Sequence, residues 1–199
     1  MGAVGGLGAR TEVGSPITTP RRWVFEHTVQ GLFHVSLRGR LSPAARDSMC
    51  RAGLDLSRPL LPAYSYETWR RALEIAARDI HPLLSREEAW RRLGQNVVDG
   101  MVQTLLGRAT AGVARLLGPL RSLRRFNNSL RSADNYVESR LEELSPTACR
   151  VWINEVMDQP TYYQGVLEAG VALAGGQRPR ARVLSREGSG AWLHVEWDA

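Results

Sequence analysis

The stretch from Leu144 to Trp197 limits the fold more than any other part of this chain, because its pattern changes period in a fixed order. Cys149-Arg-Val-Trp-Ile-Asn-Glu-Val156 is a short β-prone run. After Pro160, Tyr163 to Gly175 reads as an apolar helix closed by Gly175-Gly176. Arg180 to Arg186, a Glu187-Gly-Ser-Gly190 turn, and Ala191 to Trp197 then read as two strands joined tightly. The resulting order is strand, helix, strand, turn, strand.

Upstream the signals are mostly helical. Residues 1–20 are rich in Gly, Ser, Thr and Pro with little to bury, and predict a flexible leader. A short strand around Trp23–Glu26 and a helix from about Thr28 to Arg38 follow. Ser42-Pro43 supplies an N-cap and a first-turn proline for a helix that runs to Ala52 and stops at Gly53. Ser65 caps the next helix, whose Trp69, Leu73, Ala76 and Ile80 share one face. His81-Pro82 ends it. Ser85-Arg-Glu-Glu88 has capping-box spacing and opens a long helix through Leu93, Val97, Met101 and Leu105. Gly94, Gly100, Gly107 and Gly112 interrupt that helix. Each costs about 1 kcal/mol against alanine, so they predict a break near Gly107 or a close backbone approach.

Gly118-Pro119 is a stop. Beyond it the sequence is read as strands, with Asn127-Asn128 as a bend and Asn135 to Leu144 as an alternating strand, although that last run also fits a helix. Helices first and strands later, with one inserted helix, predict an α+β fold: one domain over 21–199, its helical half 21–118 and its antiparallel sheet half 119–199.

Composition excludes several functions. All 26 basic residues of the 199 are arginine, giving a net charge of +6. Either a genome that favours arginine codons or an anion-binding surface accounts for this. The arginines lie in scattered pairs such as Arg70-Arg71 and Arg91-Arg92, not in one tract interleaved with aromatics, so nucleic acid is not the expected partner. No apolar run reaches the ~20 residues of a membrane span. The first residues lack the features of a secretory signal, which predicts a cytoplasmic protein. Cys50 and Cys149 read as buried small hydrophobes. His27, His34, His81 and His194 have no metal-ligand spacing. Neither a nucleophile elbow nor a phosphate-binding glycine loop is present. Glu87-Glu88 and Glu142-Glu143 point apart as neighbours do, so no catalytic pair emerges and an enzyme is not expected.

The order strand, strand, helix, strand, strand after a helical half resembles the fold shared by haem–nitric-oxide-binding (H-NOX) domains, 4-vinyl-reductase domains and TRAPP subunits. Several segments more closely resemble a family of uncharacterised domains of this length found mostly in myxobacteria. They are Ala52-Gly-Leu-Asp-Leu56, Pro62-Ala-Tyr64, Leu93-Gly94 to Gly107-Arg108, Leu117-Gly-Pro119, Arg131-Ser-Ala-Asp-Asn-Tyr136, Pro160 to Leu167 and Val195-Glu-Trp197. The wider resemblance carries one sharp expectation. Haem-binding members need a histidine in the long helix before the sheet and a Tyr-x-Ser-x-Arg run for the propionates. Here Glu87 to Leu117 contains no histidine, and the run aligned by position is Trp152-Ile-Asn154-Glu-Val156. The expectation is a domain without haem or any other cofactor.

The fold implies an apolar pocket between helices and sheet. Trp69, Trp90, Met101, Trp152, Tyr163 and Trp192 are its expected lining, with Arg131 and Asn135 as polar groups at the mouth; the same aromatics also serve as simple core. Two readings remain open. One is a non-enzymatic signalling or regulatory module binding a small apolar ligand or a partner protein. The other is a TRAPP-like assembly subunit, dimeric and without ligand. A closed pocket above ~300 Å3 favours the first.

Overall fold

The computed structural model describes residues 21–198, apart from the side chains of Leu105 and Leu106; the expected leader over residues 1–20 lies outside the described residues. β1 (Trp23–Phe25) pairs antiparallel with β2 (Ala63–Ser65). Between them the chain forms α1 (Glu26–Val29), which widens into a π-helical segment (Gln30–Ser36), and then α2 (Pro43–Arg51). α3 (Tyr66–Ile80), α4 (Arg86–Gln103) and α5 (Leu105–Leu117) follow. Ser42, Ser65 and Ser85 cap α2, α3 and α4 by accepting from the backbone N–H of Ala45, Thr68 and Glu88. The capping box at Ser85 is only half made: Glu88 pairs with Arg91 and Arg92.

The long helix breaks at Thr104, three residues before the expected glycine. Thr104 is extended, and its hydroxyl accepts from the Gly107 N–H at 3.0 Å, so one residue ends α4 and caps α5.

After Gly118 the structure corrects the sequence reading. The chain forms two more helices, α6 (Pro119–Arg124) and α7 (Phe126–Ala133), where strands were expected. Pro119 takes the first position of α6, where its missing N–H costs nothing. Leu123 and Leu130, seven apart, are buried, and Leu120 and Phe126 pack beside them, which is helical spacing. Asn127 lies within α7, not at a bend, and its Oδ1 accepts from the Ser139 N–H at 2.9 Å.

β3 (Ser139–Ser145), β4 (Ala148–Ile153), α8 (Pro160–Leu173), β5 (Gln177–Glu187) and β6 (Gly190–Asp198) complete the chain as expected. β3 starts four residues later than the predicted Asn135. Asp134 Oδ1 accepts from the N–H groups of Tyr136 and Val137, which holds that stretch as a turn. The sheet is antiparallel throughout, in the order β3-β4-β6-β5. Alternation is strict in β6: Ala191, Leu193, Val195 and Trp197 are buried, while Trp192, His194 and Glu196 face the other side. A two-residue loop, Gly188-Ser189, closes the β5–β6 hairpin, with Gly188 at φ 59°.

α8 lies on the inner sheet face and is itself covered by α4. That explains its apolar character all round: Tyr162, Tyr163, Val166, Leu167 and Val171 are all buried. Two glycines make the α4–α8 contact possible. A Cβ on Gly94 would fall on the carbonyl oxygen of Tyr162, and one on Gly165 would fall on that of Arg91. Among the described residues no helix is long and apolar enough to cross a membrane.

Candidate functional site

The eight residues expected to line one pocket separate into distinct places. Trp90 is 1 % exposed and meets Tyr162 edge-on at 6.3 Å; Tyr162 in turn meets Tyr163 at 5.2 Å. These rings fill the seam between α4 and α8, and the Trp90 indole N–H finds no hydrogen-bond acceptor there. Trp69 belongs to a different part of the core, edge-on to Phe33 at 6.0 Å. Met101 packs on Gly31 of the π-helical segment.

Trp152 and Trp192 do not reach the interior. They sit opposite each other on β4 and β6, on the outer sheet face, with the Arg140 guanidinium 4.8 Å from the Trp152 ring. Strand parity sends them there, because the inward positions are Val151, Ile153, Ala191 and Leu193. Arg131 is exposed on α7. Asn135 acts on the backbone: its Oδ1 accepts from the Trp23 N–H at 2.7 Å and its Nδ2 donates to the Arg21 carbonyl at 3.1 Å. Of the two cysteines, Cys149 is buried and its thiol is pushed up to about 12 by burial, whereas Cys50 is exposed, contrary to expectation.

Sequence reasoning missed two buried carboxylates that organise the molecule. Glu168, 3 % exposed, accepts from Arg91 Nε and Nη2, both at 2.9 Å, and from the Ala181 N–H at 3.0 Å. One side chain thereby ties α4, α8 and β5 together. Glu155, 6 % exposed, accepts from Arg22 Nη1 at 2.6 Å, the Tyr66 hydroxyl at 3.2 Å and the Met157 N–H at 2.8 Å. The Arg22 guanidinium also lies 5.3 Å from the Tyr66 ring centre. Nearby Asp134 is held up to about 6 by burial, against the two N–H groups it accepts from. No sequence periodicity marks a lone buried acid; the arginines that pair with these two are 77 and 133 residues away.

The surface holds two concavities of note. One, of about 310 Å3, lies between Leu117–Leu120, Arg121, Arg124 and Pro146. Its Arg124 is already paired with Glu143. The other, of about 370 Å3, lies at the end of the π-helical segment. Phe33, Leu37, Leu41 and Leu56 form its apolar side; His34, Arg38 and Arg46 stand at its rim beside Gly39. Among the described residues, no group of three or more His, Cys, Asp or Glu is placed to hold a metal.

A family model described as a protein of unknown function (DUF2378) matches residues 22–198. No curated protein matches the sequence. Among solved structures, an H-NOX mutant of T. Tengcongensis superimposes with a TM-score of 0.62 at 12% identity, over 86% of this chain and 96% of that one. A structure described as bearing on the molecular mechanism of H-NOX activation gives a TM-score of 0.65 at 12% identity, over 88% and 97%. An oxygen-binding H-NOX domain related to soluble guanylate cyclases, in its oxygen complex, gives 0.61 at 13% identity, over 87% and 92%. The expected H-NOX-like α+β fold is thereby shown.

Proposed function

Because the chain belongs to the family described as a protein of unknown function (DUF2378), we propose a function from its own residues: a non-enzymatic signalling or regulatory module of the cytoplasm that uses an H-NOX-like scaffold without haem. In this reading it takes its signal, a small ligand or a partner protein, at the surface and not in an interior pocket. The observation that carries the reading is the closed seam between α4 and α8. Backbone meets backbone at Gly94 and Gly165, and Trp90, Tyr162 and Tyr163 fill the remainder.

The residues present do not fit a haem. Neither α4 nor α5 contains a histidine. His194 is on the outer sheet face, and His27, His34 and His81 belong to the segments before α4. Asn154 is committed to the backbone, its Nδ2 donating to the Tyr136 carbonyl and its Oδ1 accepting from the Glu138 N–H. Val156, where the propionate-holding arginine is expected, is fully buried and apolar. Titration of the purified chain with hemin, followed by gel filtration, tests this directly. The expected result is no Soret absorbance travelling with the protein; a stoichiometric Soret band would overturn it.

A second reading, assembly through a helix face, is favoured by α5. Only Ala111 is buried among its described side chains, and Val113 and Leu116 are 50 % and 88 % exposed. Under this reading the chain is a dimer by native mass spectrometry and Leu116→Glu renders it monomeric. A monomer in the wild type removes it.

A further inference from the structure

We propose that the cavity at the end of the π-helical segment is a binding site for a small carboxylate with an apolar body, such as a medium-chain fatty acid. The proposal rests on the preceding reading that the domain takes a ligand or partner at its surface, and it names the ligand class.

The backbone builds the site. A π-helix carries one extra residue per turn bond, and such widened turns recur at functional sites. Here the Leu37 N–H donates to the Leu32 carbonyl at 2.8 Å, a five-residue step that ends the segment. Phe33 and Leu37 are thereby directed inward, 3 % and 0 % exposed, while His34 and Arg38, each one residue further along, reach the rim. Gly39 at φ 73° then turns the chain so that Leu41 and α2 close the other wall, bringing Arg46 to the same opening. α4 fixes the segment from behind: a Cβ on Gly100 would fall on the Gly31 carbonyl oxygen. The segment is therefore backed by direct backbone contact with α4.

The chemistry of the rim selects the ligand. Ten of the 25 described arginines have a carboxylate partner; Arg22, Arg78, Arg91, Arg124 and Arg180 are examples. Arg38 and Arg46 have none: among the described residues neither guanidinium makes an ion pair or side-chain hydrogen bond. Two unpaired guanidiniums and an imidazole around a greasy floor complement an oxyanion on an apolar stem. A volume of about 370 Å3 is at the small end of ligand pockets, which favours a short chain or single ring over a whole lipid.

Decanoate and uncharged decanol are the probes, titrated calorimetrically into the wild-type chain and the variants Arg38→Gln and Arg46→Gln. Both arginines are exposed, so the variants retain the wild-type melting temperature. Decanoate is expected to bind, with each substitution weakening it about tenfold. Decanol is expected to bind more weakly than decanoate and to be indifferent to both substitutions. In a spectrum resolving the four histidine side chains, decanoate is expected to move His34 and to leave His194, on the outer sheet face, unmoved. No decanoate binding, equal binding of the two probes, or binding unaffected by both substitutions would each overturn the site. Those failures are separable from failure of the haem-free reading, which only the hemin titration decides.

Discussion

α4 and α5 come from one apolar run with glycines at intervals of five to seven residues, yet they ended in opposite environments. In α4, Gly94 seats the helix on α8 and Gly100 seats it on the π-helical segment. In α5, Gly112 has nothing within 4 Å of its missing side chain, and most of the helix faces outward. The same residue type is a close-approach device at Gly94, Gly100 and, at the start of α5 against the Met101 carbonyl, Gly107, and a plain weakness at Gly112. The difference is set by what lies across from each glycine, which local sequence does not carry. It also explains why the interior is shut where an apolar pocket was expected: α4 lies against α8 at backbone distance.

Substitutions at the two ends of that contrast are expected to separate widely. Gly94→Ala forces a methyl onto the Tyr162 carbonyl and is expected to cost more than about 3 kcal/mol in urea unfolding. A cost below about 1 kcal/mol would mean the seam has slack. Acidity sharpens the comparison from the α8 side, since the charge of Asp134 is felt by Tyr162 and Tyr163. Its carboxyl rises from 3.8 to about 6 on folding. Between those values the folded state keeps a proton that the unfolded state has lost, so this group's contribution falls as pH rises through about 4 to 6. The expected excess loss, relative to Asp134→Asn, is about 2 to 3 kcal/mol, read from unfolding curves of both proteins at pH 4 and pH 7. Identical pH profiles for the two would remove Asp134 from the account.

Glu168→Gln leaves Arg91 without its bidentate partner. Arg91 is 36% exposed, so water offsets part of the loss, and about 2 kcal/mol is expected by the same unfolding assay. Hydrogen exchange in that variant should quicken in α8 and β5 while α5 is unchanged; uniform quickening would show that Glu168 does not act locally. The smallest effect belongs to Gly112→Ala, where open space and a helical backbone predict a gain of up to about 1 kcal/mol in melting experiments. A loss there would show that α5 has a covering surface in solution.

Much of the fold is legible in the sequence because it depends on local chemistry. Three serine caps, the closing hairpin and the order of the last five elements follow from spacing alone. The error after Gly118 came from reading Leu120, Leu123, Phe126 and Leu130 among many arginines as strand with a bend at Asn127-Asn128, when they mark one helical side across a short break between α6 and α7. The expected pocket was less legible. Trp152 and Trp192 are large and aromatic, but strand parity gives the inward positions to smaller aliphatic residues. The concavity beside the π-helical segment was invisible for another reason. It depends on a helix widening by one residue, and Gln30–Ser36 carries no composition that announces it.

The edge of the sheet has a consequence of its own. β5 is the longest strand and one of its neighbours is solvent. It carries Arg178 at φ 44°, then Pro179, Arg180, Arg182 and Arg186. A second copy approaching antiparallel along that margin would meet a kinked backbone, a missing N–H and bulky arginines, of which Arg178, Arg180 and Arg186 are held in ion pairs. Strand-to-strand growth of a fibre is thereby disfavoured from this side.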